Sequence, residues 1–548
     1  MTEEVKPIKF YAHSTHVRND NANAVVVAER ILSEDENHQP KYTDHLSIIE
    51  DPMRAFWITK PQFRNHEYKK EFEDLDKLDE YHCHDSELKE SVSRALGRYK
   101  TFGSLRMICA SPYVYGADID TEVLVKQKYM ERVPVGKMAQ FTRGALDIET
   151  EVTGQKRINL ITFIHEKDIY SVALKEFMRK KVGEDKYEPA SIDDAREVID
   201  RLIGSYITKN EFKLHLEVKD TELEMIQWIF DRIHERKTTF IGIWNENFDL
   251  PKIIESIERN GGDVTEIMAH PDVPKKFRSV HYYEDKSEVD HFTDKWHWMS
   301  ITGYSQFVDS MCLYARNRKV NGRDTSYALD DISTKELGQG KLHFGKITNH
   351  TIAQLTQFLE YWAYNINDVL IMMLMEWKNN DMTAMQTLSG QSLLNQFSRQ
   401  TVQLKNDLYK FAKNRGRIIA SAGPVMFTKY DDMMGKAGGT VLPPDKAVTV
   451  GIAACRGMNR PTQVCIMTND LDVSSMYPSV LSAFNISKET TLATIIGING
   501  YPPEMTEIFC SGLIQPEISA EEISSKFYGL ASYTEMLEMV NRDLPKAG

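Results

Sequence analysis

From Leu355 to Met373, apolar residues recur at 355, 358, 359, 362, 366, 369, 370 and 373. Steps of three, one and four keep these side chains on one helix face, so a long amphipathic helix is predicted here. Thr351 followed by Gln354 has the form of a capping box at its start. Upstream, RGALDIET (143–150) and INLITFI (158–164) read as strands. TTFIGIWNENFDLPKIIESIERNGG (238–262) reads as strand, loop and helix, with Gly261 and Gly262 as stop signals. Strands mixed with helices predict an α/β fold.

At about 150 residues per domain, 548 residues make three or four domains. Hydrophobic residues at 41% and charged residues at 27% fit packed domains rather than disorder. A net charge of −13 excludes a basic nucleic-acid coat protein, but not an enzyme with a local basic groove. Six cysteines without a Cys-x-x-Cys pair suit a reducing compartment. The opening MTEEVKP lacks a signal pattern, and the apolar run Val369–Met375 is far short of the ~20 residues that span a bilayer. A soluble, cytoplasmic protein with no membrane partner is expected.

Asp147 and Glu149 lie two apart in a predicted strand, so both carboxylates share a face while Leu146 and Ile148 point the other way. Two neighbouring acids repel unless a cation lies between them, and a hard divalent ion with oxygen ligands is the natural partner. A lone Asp-x-Glu is more often a solvated strand face. Here Asp249 stands at the mouth of a helix, in NFDLPKI, and Asp368 lies on the long helix, in YNIND. Tyr364, four residues before Asp368, shares its face. Four acids arriving from strand, loop and helix can hold two metal ions about 4 Å apart, with the Tyr364 phenol orienting a water. That chemistry fits phosphodiester hydrolysis.

FTRGALDIET, IGIWNENFDLPKI and YNIND resemble, in order, the three exonuclease motifs of family B DNA polymerases, in the tyrosine-containing subtype of the four-acid class. SYALDDISTKELGQGK (326–341) is also similar to that family. The resemblance implies a ribonuclease-H-like 3′→5′ proofreading exonuclease over residues 141–374, using Mg²⁺ or Mn²⁺, two ions per active site. It assigns Asp147, Glu149, Asp249 and Asp368 to the metals and DNA contacts to Asn245 and Phe248. The family's second motif has Asn four residues before the Phe; Trp244 fills that slot and Asn245 is displaced by one.

Asp472 ends a predicted strand, VCIMTNDLD, and opens a tight turn and helix, VSSMYPS, with Pro478 near the helix start. This resembles polymerase motif A, with Met476 in a Leu slot. By that resemblance Asp472 is catalytic and binds both metals with help from the Val473 carbonyl. Ser475 and Met476 contact the dNTP phosphates through the main chain, and Tyr477 stacks under the sugar and excludes a 2′-hydroxyl. Upstream, AGGTVLPP resembles the family's YxGG element with Lys436 in the Tyr slot.

Nucleotidyl transfer needs a second acid facing the first. After Asp472 the sequence has a single Asp, Asp543, and no basic triphosphate-gripping helix motif. The expectation is therefore the front part, or a subunit, of a family B DNA polymerase, most similar to replicative polymerases of large tailed phages, at work in the host cytoplasm. Its parts would be a mixed α/β N-terminal domain (1–140), the exonuclease domain (141–374), a helical segment returning to the N-terminal domain (375–424) and an incomplete palm (425–548). Expected partners are a DNA primer–template, dNTPs, a second chain carrying fingers, thumb and the rest of the palm, a sliding clamp and other replisome proteins. The competing readings are a stand-alone 3′→5′ exonuclease with a vestigial palm and a non-catalytic DNA-binding subunit.

Three further segments carry expectations. The charged run 67–90 reads as a solvated helical face, with His82, Cys83 and His84 lacking the second ligand pair of a metal site. Residues 263–300 read as an irregular insertion. Gly340–Ile347 nearly spells a P-loop, but Ile347 replaces the required Ser or Thr.

Overall fold

The period-2 segments of the sequence become the middle of a six-stranded sheet, seen in a computed structural model of the chain. It describes residues 7–423 except 21, 35–38, 67–68, 71, 98–102, 135–136, 138, 153, 184–185, 290, 320–321, 343–349 and 383–399; residues 350, 351, 400–405 and 407 are described by backbone alone. Asp472, Val473, Ser475, Met476, Tyr477 and the whole expected palm lie outside the described residues.

The N-terminal part opens with an antiparallel meander of β1 (Ile8–Asn19), β2 (Ala22–Glu34) and β3 (Pro40–Glu50). A second sheet joins β4 (Met53–Thr59) to β6 (Leu78–His84) and β7 (Val114–Tyr115), while β5 (Phe72–Asp74) lies apart from it. Helices α1 (Leu88–Ala95), α2 (Leu105–Ile108) and α3 (Thr121–Met130) complete this region. The expected helix over 67–90 is thus replaced by two strands, and helix begins only at Leu88. Pairing outweighs local charge here: β6 binds the apolar β4 along its length, and Tyr81 stacks on Phe56 at 5.3 Å. Cys83 points into the core while His82 and His84 point out, so the three do not converge.

The central sheet takes β8 (Arg143–Thr150), β9 (Ile158–His165) and β10 (Asp168–Leu174). A small hairpin of β11 (Arg179–Lys181) and β12 (Tyr187–Pro189) precedes α4 (Ile192–Lys209), β13 (Lys213–Lys219), α5 (Glu222–Arg236), β14 (Phe240–Ile243) and α6 (Glu246–Arg259). Then follow α7 (Val264–Met268), β15 (Val280–Tyr283), β16 (Trp298–Ile301), β17 (Gln306–Asp309), α8 (Ser310–Arg318), α9 (Leu329–Leu337), α10 (His350–Thr356), α11 (Phe358–Asn379), α12 (Gln400–Lys413) and β18 (Arg417–Ile419). The sheet order is β13-β10-β9-β8-β14-β17, parallel at β10–β13, β8–β14 and β14–β17, and antiparallel at the two junctions of β9. The protein is α/β, with a mostly parallel central sheet. After α12 the chain returns to the N-terminal part, where β18 pairs with β5.

Alternation along β8, β9 and β10 divides the core. Leu146, Ile148, Ile161, Phe163, Tyr170 and Val172 pack on the face that α5 and α6 cover. Ala145, Leu160, Ile164, Ile169 and Ala173 face the other way, toward α4 and α11. The segment expected to be irregular, 263–300, contains α7 and the antiparallel pair β15–β16, whose Tyr283 and Trp298 stack at 4.0 Å. Among the described residues no helix is long and apolar enough to cross a membrane.

The long helix differs from its sequence reading in two ways. It is broken at Gln357, which leaves helical geometry at φ −143° and ψ 49° between α10 and α11. Gln354 does not close a capping box: its side chain donates to the Thr150 carbonyl at 2.7 Å and accepts from the Val152 N–H at 3.3 Å. And α11 is buried all round rather than amphipathic toward solvent. Its polar face does not meet water; it meets the acids of β8.

Candidate metal centre

Four positions of α11, Tyr361, Tyr364, Asn365 and Asp368, follow the i, i+3, i+4, i+7 rule and form one stripe. The stripe lies against the outer end of β8, where period 2 presents Asp147 and Glu149 together. Carboxylate oxygens of Asp147, Glu149 and Asp368 lie within 4.8 Å of one another. Asp249 is placed by the first turn of α6. The turn entering that helix is made by Asn245, whose left-handed φ of 72° an Asn tolerates better than most residues. Asp249 is buried, accepts a backbone hydrogen bond from Ile148, and feels the charges of both Asp147 and Glu149.

Each acid has a distinct partner. The Asn365 amide donates to Asp147 Oδ2 at 2.7 Å, and the Tyr361 phenol donates to Glu149. The Lys341 ammonium lies 2.5 Å from Asp368 Oδ2 and 2.9 Å from the Tyr364 oxygen. Tyr364 in turn hydrogen-bonds Asp368. The second oxygen, Asp368 Oδ1, is buried without a hydrogen-bond partner. Lys341 is delivered by a tight turn against α9: its backbone N–H donates to Asp330 Oδ1 at 2.7 Å. A Cβ on Gly340 would lie 2.1 Å from that same oxygen, so a larger residue would push Asp330 off the Lys341 N–H.

The electrostatics follow from burial and crowding. Burial, then the charge of Asp368, pushes the Asp147 carboxyl up to about 7, against the pull of Lys341 and Asn365. Burial raises Asp368 to about 6, with Lys341 holding it down. Glu149 and Asp249 are pushed well above the usual carboxylate range, first by burial and then by Asp147. Burial opposes the Lys341 charge, but Asp368, Tyr364 and Asp147 outweigh it and its pKa rises. Burial and Asp368 also raise Tyr364, which keeps its proton at neutral pH. A cluster of oxygen ligands that resists ionisation, with an orphaned buried carboxylate oxygen, is a donor set that suits a hard divalent cation.

The structure brings Asp147, Glu149, Asp249, Tyr364 and Asp368 to one place. Asn245 and Phe248 sit just outside it: Asn245 is exposed and Phe248 is 46% exposed. Trp244 turns away, its indole donating to the Tyr327 carbonyl at 3.0 Å. Sequence reasoning missed Lys341, Tyr361 and Asn365. The last two were legible as helix-face neighbours of Tyr364 and Asp368. Lys341 closes the segment SYALDDISTKELGQGK, and its placement depends on the turn held by Asp330. Beneath Asp249 lies a further acid pair, Glu246 and Asp309. Asp309 caps α8 and accepts the Glu246 N–H at 3.0 Å, while burial and Asp309 push Glu246 well up.

No protein-family model matches this chain, and comparison with curated proteins finds no match.

Proposed function

We propose that residues 141–374 form a ribonuclease-H-like 3′→5′ exonuclease, and that the chain is the N-terminal part or a subunit of a family B DNA polymerase acting in viral DNA replication. The observation that carries the reading is the convergence of Asp147, Glu149, Asp249 and Asp368 from β8, α6 and α11, with the Tyr364 phenol beside Asp368. A central strand bearing two of the acids, with the others on helices at its end, supports that fold.

In this reading the four carboxylates would hold two Mg²⁺ or Mn²⁺ ions. When bound, such a pair lowers the pKa of a water and stabilises the leaving oxygen of a phosphodiester. The chain's own residues do the rest. Asp147 and Glu149, fixed by Asn365 and Tyr361, present their carboxylates from a rigid strand. Tyr364 stays protonated and acts as a hydrogen-bonding group that orients a water. Lys341 keeps Asp368 ionised and holds the tyrosine oxygen. Phe248, on the rim, offers a ring for the terminal base to stack on, and Asn245 a polar contact.

The polymerase half of the proposal rests on Asp472 with Val473, Ser475, Met476 and Tyr477 as the metal and dNTP site. In this reading a second chain carrying fingers, thumb and the rest of the palm supplies the second acid and the triphosphate-gripping helix. DNA primer–template is the proposed substrate, and a sliding clamp and other replisome proteins are proposed partners. The test is digestion of a 5′-labelled single strand by the purified chain with Mg²⁺. Stepwise shortening from the 3′ end, abolished in a variant carrying Asp147→Ala and Asp368→Ala, is expected. Undiminished digestion by that variant would overturn the assignment.

A further inference from the structure

Asp147, Thr162 and Ser171 are direct cross-strand neighbours on β8, β9 and β10. All three face α11, on a sheet surface otherwise made of residues such as Leu160, Ile164 and Ala173. Polar groups in such a place are costly unless bonded. Here they are bonded in one unbroken line. Trp362 Nε1 lies 2.7 Å from Ser171 Oγ, which lies 2.6 Å from Thr162 Oγ1. Thr162 hydrogen-bonds Asn365 Oδ1, and Asn365 Nδ2 lies 2.7 Å from Asp147 Oδ2. Trp362, Ser171, Thr162 and Asn365 are all fully buried.

The ends fix the direction. An indole N–H only donates, and a carboxylate that holds a metal ion is deprotonated and only accepts. Ser171 therefore accepts from Trp362 and donates to Thr162. Thr162 donates to the Asn365 oxygen, and the amide must turn its NH₂ toward Asp147. Apolar residues of the same shape could fill this volume at little cost in stability. What the line adds is one orientation of one carboxylate.

Resting on the two-metal nuclease reading, we propose that Asn365 is a positioning residue, locked by the Trp362–Ser171–Thr162 line, that pins Asp147 Oδ2 and leaves the other oxygen free for an ion. A neutral donor does this without cancelling the charge the ion needs.

Thr162→Val keeps the shape of the side chain and removes the hydroxyl that orients the amide. Mn²⁺ binding to the full chain is measured by calorimetry, alongside kcat and KM on a single-stranded oligonucleotide. Losing this support is expected to weaken Mn²⁺ binding by about 10- to 100-fold. It should lower kcat with KM for DNA unchanged, and Thr162→Ser should restore both. Ser171→Ala, one link further back, should act in the same direction and serves if Thr162→Val does not fold. Wild-type Mn²⁺ affinity in the folded variants would overturn the positioning role while leaving the metal centre standing. A wild-type chain that binds no Mn²⁺ would overturn the metal-centre reading and this proposal with it.

Discussion

The Lys341 ammonium lies 2.5 Å from the Asp368 carboxylate, and the acid is almost wholly buried while the lysine is a quarter exposed. The pair joins a turn after α9 to the buried face of α11. It places one positive charge against a cluster of acids that otherwise repel.

Removing that charge without removing bulk should expose the repulsion. Lys341→Met in metal-free buffer at pH 8 is expected to lose about 3 kcal/mol of stability, in the range seen when one partner of a buried pair is deleted. Denaturant unfolding measures it. Added Mg²⁺ should recover more stability in the variant than in the wild type; equal recovery would mean Lys341 does not offset the acids.

The pH dependence has a definite sign. Asp147 and Asp368 titrate near 7 and 6 in the fold, against about 4 for a free carboxylate. Between those values the native state binds more protons than the unfolded chain, so their contribution to stability falls as pH rises from about 4 to 7. Melting in EDTA should show this fall, and Asp147→Asn should flatten it relative to wild type. Mn²⁺ affinity should rise over the upper part of the same window with release of protons, detectable by calorimetry in buffers of different ionisation heat.

Tyr364→Phe removes a phenol that contacts Lys341 and Asp368 but is not itself an acid ligand. Hydrolysis is expected to slow by about 10²–10⁴-fold, less than on loss of an acid. An unchanged rate would mean that Tyr364 only packs.

Phe248 is 46% exposed one residue before the buried Asp249. If its ring stacks on a base, Phe248→Ala should raise KM for single-stranded DNA about tenfold, with kcat little altered. A fall in kcat at constant KM would point instead to a displaced Asp249.

Much of this arrangement can be read from local pattern. Strand period places Asp147 beside Glu149, and helix period places Tyr364 beside Asp368; both need only a few consecutive residues. The same helix period reaches Tyr361 and Asn365 once the stripe is followed in both directions. Contacts between distant segments are not legible in this way. Leu78–His84 looks charged and helical in isolation, and becomes a strand because β4 is there to pair with it. Tyr283 and Trp298 stack across a hairpin whose strands are too short to show alternation. Gln354 looks like half of a capping box, yet bonds the backbone leaving β8. Lys341 becomes part of the site only through the turn that Gly340 permits and Asp330 holds.

The most direct test of the exonuclease with an incomplete polymerase site is a labelled primer–template with a 3′ mismatch, incubated with the purified chain, Mg²⁺ and all four dNTPs, and resolved as a product ladder. Primers shortened from the 3′ end and none extended are expected. An intact primer would contradict the exonuclease, and extension past the starting length would contradict the incomplete polymerase site.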